Sequence, residues 1–300
     1  MSQCLILLLS YLLTAFFVSR YNESRLSGSA GGFTMRFGIC TGIGNAPILR
    51  SAGYDYIEMS VAGDLIPDDP EESWATKRAA IREMTGTTGL LPEAFNSFVR
   101  SGKIVGPEAD FARLERYVRT ALTRAAEVGG KIIVFGSGGA RNVPDGFDRA
   151  DAEAQIVRFL HLCADAHETT GVTVVIEPLN RGESNILNTV AEGAEFVRRV
   201  DRPGVRNLAD TYHMMKDGEP LSAVTVHGAT LAHAHTAEAG TRSAPGTGDT
   251  DFRAILSAFR AAGYDGRLSI ECGWKDMATE AGPALASLRA AYSAAHSTAS

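Results

Sequence analysis

The sequence contains no run of five or more Lys or Arg residues, no Cys-x-x-C pair and no histidine before His161. A nucleic-acid binder normally presents a basic face, and a formal net charge of −6 with no basic run argues against that partner. The four cysteines, Cys4, Cys40, Cys163 and Cys272, are widely separated. That spacing suits a reducing, cytoplasmic compartment better than a disulfide framework or a thiolate zinc site. The apolar stretch Cys4–Val18 is shorter than the roughly 20 residues a membrane-spanning helix needs. Hydrophobic residues make up 45% of the 300-residue chain, enough for a sizeable buried core.

The first 34 residues stand apart. Cys4–Val18 has the length of a signal-peptide core, yet no Lys or Arg precedes it, and a Gly/Ser-rich polar stretch follows. Residues 1–34 are expected to lie outside the fold, with Met35 as the working initiator. The alternative is a genuine signal or anchor segment, with export. The barrel itself, residues 35–300, is expected to have no membrane role, and a homo-oligomer is compatible with it.

From Met35 onward, short apolar runs alternate with helical patterns. The runs are Met35–Cys40, Tyr56–Val61, Leu90–Phe95, Lys131–Phe135, Thr173–Glu177, Val205–Asp210, Leu231–His235 and Leu268–Glu271. Helical patterns include Asp110–Val128, Asp151–Thr170, Val190–Val200 and Asp251–Ala261, and glycines at 129, 171 and 263 stand where helices should end. Eight strand–helix units predict a single (β/α)8 TIM barrel of class α/β. Chemistry in such a barrel sits at the C-terminal ends of the strands.

Glu177, Asp210, His235 and Glu271 each close a predicted strand, in four consecutive units. Carboxylates gathered at a barrel mouth repel one another unless a cation or a proton intervenes. A hard divalent cation takes carboxylate oxygens and accepts an imidazole, so this set points to one metal ion. Manganese, magnesium or cobalt suits it best, and zinc is admissible. The bland reading is solvated loop carboxylates or arginine pairs.

Four segments carry a family resemblance. Ile176-Glu-Pro-Leu-Asn-Arg-Gly-Glu183 and Asp210-Thr-Tyr-His-Met214 resemble motifs of the ketose 3-epimerases. So do His233-Ala-His-Thr-Ala-Glu238, with Arg242 and Pro245-Gly-Thr-Gly248, and Tyr264-Asp-Gly-Arg-Leu-Ser-Ile-Glu271. The wider group is the xylose isomerase-like barrels. The resemblance implies metal ligation by Glu177, Asp210, His235 and Glu271, and substrate contacts from Glu183, His213 and Arg242. Two departures stand out. Gly182 replaces a usual aromatic residue, and the loop before Arg242 is one residue longer.

These residue types fit proton abstraction next to a carbonyl through an enediolate, with Glu177 and Glu271 exchanging base and acid roles. The leading expectation is a sugar or sugar phosphate isomerase or epimerase acting on a small sugar or polyol-like substrate. A dehydratase of an inosose or dehydroshikimate type would begin with the same step. An endonuclease IV-like nuclease would want further histidines from the early strands, which this sequence lacks. A non-catalytic sugar-binding module would be favoured by loss of a base carboxylate, and both are present.

Other motifs stay open at this level. Phe135-Gly-Ser-Gly-Gly-Ala-Arg141 reads as close backbone approach or as an anion cradle using Arg141. Glu58, Glu93 and Asn96 fit barrel packing or substrate contact equally. His233, two residues before His235, reads as an interior neighbour rather than a ligand.

Overall fold

The computed structural model describes residues 35–297; the expectations placed on residues 1–34, Cys4 included, fall outside them. Eight runs dominated by apolar residues form parallel strands: β1 (Arg36–Cys40), β2 (Tyr56–Ser60), β3 (Pro92–Asn96), β4 (Ile132–Phe135), β5 (Thr173–Ile176), β6 (Val205–Asp210), β7 (Leu231–Thr236) and β8 (Arg267–Ile270). Each pairs with the next, and β8 returns to β1 with Arg267 opposite Arg36, which closes the barrel.

Among the described residues the α-helices are, in chain order, α1 (Ala46–Ala52), α2 (Glu71–Thr88), α3 (Phe111–Glu127), α4 (Gly138–Arg141), α5 (Arg149–Thr170), α6 (Val190–Val200), α7 (Thr211–Asp217), α8 (Ser222–His227), α9 (Phe252–Ala261) and α10 (Met277–His296). Several begin on an acidic or hydroxyl cap. Asp110, Asp148, Thr189, Asp251 and Asp276 each accept a backbone N–H of the first turn. Such a cap contributes about 1 kcal/mol. Among the described residues no helix is long and apolar enough to cross a membrane.

Two apolar layers result. Tyr56, Ala94, Ile132, Val134, Val175 and Leu208 fill the barrel interior, while the larger cluster lies between strands and helices. Strand β4, Ile-Ile-Val-Phe, is buried along its whole length, as a parallel strand covered on both faces requires. Each fully buried Ile, Val or Phe contributes about 1.5–3 kcal/mol relative to exposure.

The foot of the barrel is closed by charge. Glu93 accepts from Arg36 at 2.6 Å and from Arg267 Nε at 2.7 Å. Burial raises its carboxyl pKa, but the two arginines outweigh that and hold it below the ordinary value. Glu93 therefore has a packing role at the opposite end from the mouth, and substrate contact is excluded for it. Cys40, Cys163 and Cys272 are free thiols.

Candidate active site

The mouth of the barrel opens into a cleft of about 870 Å³, lined among others by Asn96, Glu177, Glu183, His213, Arg242 and Glu271. Asp210 and His235 are buried. All seven residues singled out in the sequence thus meet at this one end, supplied by β5 to β8 and the segments that directly follow them.

Glu177 follows β5 directly, and its position depends on two neighbours. A Cβ on Gly136 would stand 2.2 Å from Glu177 Oε2, so only glycine leaves that carboxylate its place. Arg141 donates to the carbonyl oxygens of Phe135, Glu177 and Leu187 at 2.8–3.2 Å. It is fully buried, and burial lowers its pKa to about 10 despite the nearby charges of Glu177 and Glu192. This settles the glycine-rich segment after β4 as close backbone approach. Its terminal nitrogens are turned to backbone carbonyl oxygens in the wall of the site, which argues against an anion cradle built on Arg141.

Asp210 ends β6 and caps α7. Its Oδ1 accepts from the backbone N–H groups of Tyr212 and His213 at 2.7 and 3.3 Å. Its Oδ2 is buried and has no hydrogen-bond partner among the described residues, and the same holds for His213 Nε2, 3.6 Å away. One oxygen of the Asp210 carboxylate is thereby left for a ligand.

His235 sits on β7 between acids. Its Nε2 lies 3.0 Å from Glu58 Oε1, and its Nδ1 lies 3.0 Å from Glu177 Oε1, 3.8 Å from Glu271 Oε2 and 4.0 Å from Asp210 Oδ2. Burial lowers its pKa, but Glu58 and Glu177 raise it well above the ordinary value. Glu271 behaves oppositely. Burial and the charge of Glu177 push its carboxyl up to about 7, against the pull of His235 and Arg242. Acids crowded in this way match a divalent cation, and one ligand atom each from Glu177, Asp210, His213 and Glu271 lie mutually within 4.8 Å.

Arg242 reaches in from the loop after β7. Its guanidinium donates to Glu271 Oε2 at 2.6 Å and to Glu183 Oε1 at 3.2 Å, and lies 4.7 Å over the Tyr212 ring. The loop is built on Glu238, whose carboxylate accepts the N–H groups of Gly246 and Thr250 at 2.7 and 3.1 Å. Arg242 itself adopts φ +51, a left-handed conformation uncommon for a non-glycine residue and one that clusters at functional sites.

Three residues were not read as site-builders from the sequence. Glu58 is fully buried beneath the site. It receives His233 Nε2 at 2.8 Å and the Ser269 hydroxyl at 2.6 Å in addition to His235. Burial would raise its pKa, but the two imidazoles hold it well below the carboxylate range. His233 is accordingly an interior neighbour, as its spacing from His235 suggests. Asn180 donates to Glu183 Oε1 and His213 Nδ1, and Glu238 shapes the arginine loop. The partners of Glu58 are distant in sequence, Asn180 joins the local Glu183 to His213 33 residues on, and those of Glu238 are local but unrevealed by pattern. Asn96 Nδ2 is 3.5 Å from Glu271 Oε1, which places it on the substrate side rather than in the packing.

Comparison with known proteins agrees with this architecture. Residues 47–293 match the family model described as a xylose isomerase-like TIM barrel. An L-ribulose 3-epimerase of Mesorhizobium japonicum is 32% identical over 234 residues, 74% of this chain and 72% of that protein. A D-psicose 3-epimerase of Agrobacterium fabrum is 35% identical over 125 residues, 41% of this chain and 43% of that protein, so that alignment spans less than half of the relative's length. The crystal structure of the 3-keto-D-glucoside 4-epimerase of E. coli superposes with a TM-score of 0.72 at 25% identity, covering 86% of this chain and 100% of that one. The chain belongs to the xylose isomerase-like TIM barrel family, as an isomerase among relatives that epimerise sugars.

Proposed function

We propose that the chain is a divalent-cation-dependent epimerase or isomerase of a small keto sugar, acting by proton abstraction beside the carbonyl. The observation that carries the reading is the approach of Glu177, Glu271 and Asp210 oxygens to within 3.0–4.0 Å of His235 Nδ1 at the mouth of the barrel. A cation held by these four residues would draw electron density from the substrate's carbonyl and adjacent hydroxyl oxygens as a Lewis acid. The oxygen-rich donor set suits manganese, magnesium or cobalt, and zinc is admissible.

The chain's own residues do the rest. Glu177 and Glu271 approach from β5 and β8. One removes the proton from the carbon next to the carbonyl, leaving the electron pair spread over an enediolate. The other returns a proton to the opposite face. His213 and Glu183 hydrogen-bond the substrate's oxygens, and Arg242 anchors its far end while orienting Glu271.

The test is a metal-loaded sample, analysed for metal and offered a panel of ketoses and keto-glycosides followed by NMR. About one equivalent of metal per chain and a product inverted at the carbon beside the carbonyl support the reading. A product that has lost water would replace epimerase with dehydratase, and two or three tightly held ions would overturn the single site.

A further inference from the structure

Two imidazoles compete for the same acids. His213 Nε2 belongs to a set of donors within 4.8 Å that includes Glu177, Asp210 and Glu271, and His235 Nδ1 lies 3.0–4.0 Å from oxygens of the same three residues. Distance alone leaves the metal-binding imidazole undecided. A neutral imidazole has one N–H and one lone pair, and whichever nitrogen is engaged by a fixed partner decides what the other can do.

The fixed partners differ in kind. Behind His235 stands Glu58, a carboxylate that can only accept, 3.0 Å from Nε2 and held by the Ser269 hydroxyl and His233. It requires a hydrogen on His235 Nε2, so Nδ1, which lies 3.0 Å from Glu177 Oε1, is the nitrogen free to give up its hydrogen when a cation enters among the three acids. Behind His213 stands Asn180. Its Oδ1 receives the Gly182 N–H at 3.0 Å, so the amide nitrogen is the atom on the other side, where it donates to Glu183 Oε1 at 2.9 Å and to His213 Nδ1 at 2.7 Å. A donor at Nδ1 demands a lone pair there. The hydrogen of His213 must then sit on Nε2, the buried atom that has no partner among the described residues and faces the site.

We propose that Glu58 and Asn180 are positioning residues that assign the two histidines opposite roles: His235 gives a lone pair to the cation through Nδ1, and His213 gives an N–H to a substrate oxygen through Nε2. This rests on the proposed metal-dependent reading for its use, but the assignment itself can be read without substrate.

The experiment is two-bond ¹H–¹⁵N correlation of metal-free, ¹⁵N-histidine-labelled protein, with His213 identified by its loss in His213→Gln. The expected spectrum shows His213 as the Nε2–H tautomer in the wild type and as Nδ1–H or imidazolium in Asn180→Asp, where an acceptor replaces the donor. Calorimetric titration with Mn²⁺ supplies the second readout. Glu58→Gln should weaken binding by about 10–100-fold, whereas Asn180→Asp should leave binding intact or tighter while its loss in turnover falls on kcat more than on KM. Unfolding temperatures separate these effects from misfolding, and the wild-type tautomer needs no variant at all. An Nδ1–H tautomer for wild-type His213, or equal loss of Mn²⁺ binding in both variants, overturns the proposal. Inactivity of the wild type on keto sugars, with both tautomer and Mn²⁺ results as expected, would instead count against the proposed reaction.

Discussion

Asp210 shows how the site divides labour within a single side chain. One oxygen caps α7 and the other points, unpaired among the described residues, toward the acids of the cleft. Glu177 and Glu271 differ from it, since neither accepts a helix N–H and both are proposed to move protons. Replacing Glu177 or Glu271 with Gln keeps a carbonyl oxygen for the cation but removes the base. Turnover should fall by about 10²–10⁴-fold with metal content retained. Asp210→Ala and His235→Ala should act the other way, losing metal first and recovering part of their activity at high metal concentration. Full activity in both Gln variants, measured alongside elemental analysis, would remove these two residues from the chemistry. The proposed ligands were legible in the sequence because strand ends mark the mouth of a barrel and four in succession carried ligand-type side chains. Glu58 was not, because it looks like any acid near a strand end until His235, 177 residues later, is seen against it. Arg141 was half legible: its glycines announced close approach, but only burial shows that its guanidinium faces carbonyl oxygens.

At the scale of elements, β5 to β8 each deliver one metal-type residue at or just past their ends, the loops after β5 and β7 deliver Glu183 and Arg242, and α7 delivers His213. Strand positions were readable to within a residue or two, since burial on both faces selects compact apolar runs. Helix starts were readable from their aspartates, although Asp110 and Asp251 prove to be caps outside the helix rather than its first residues. The loop carrying Arg242 was not readable, because its shape comes from Glu238 gathering backbone N–H groups 8 and 12 residues away. One feature of α6 has a thermodynamic signature. Glu219 accepts the Val190 N–H at the start of this helix, yet burial pushes its carboxyl up to about 7, with the charges of Glu192 and Asp217 adding to it. Between the ordinary pKa of 4.5 and this value the unfolded chain has lost the proton and the folded chain keeps it. Stability attributable to Glu219 therefore falls as pH rises through that window. Glu219→Gln keeps the acceptor without the charge, so its unfolding temperature should gain on the wild type between pH 5 and pH 8. A difference that does not change with pH would refute this.

For the molecule as a whole, closure is the dominant fact. Strand β1 begins at Arg36 and already pairs with β8, so the eight strands are complete within the described residues. We propose that residues 1–34 are not part of the catalytic domain. A chain beginning at Met35 should fold with an unfolding temperature and metal affinity close to those of the full sequence, and a markedly lower unfolding temperature would show that the preceding segment packs on the barrel. The fold was legible because eight repeating units leave few alternatives, and the rule that barrel chemistry sits at the C-terminal ends of strands named the end at which to look.

The central claim is that carboxylates at this mouth take a proton from the carbon beside a carbonyl and return one from solvent. It is tested most directly by running the reaction of an accepted keto sugar in deuterated water and locating the label by NMR. The account predicts one deuterium at the inverted carbon of the product and its loss, together with turnover, in Glu177→Gln and Glu271→Gln. Product formed at the normal rate with no deuterium at that carbon would contradict it and would favour an internal hydride shift on the same scaffold.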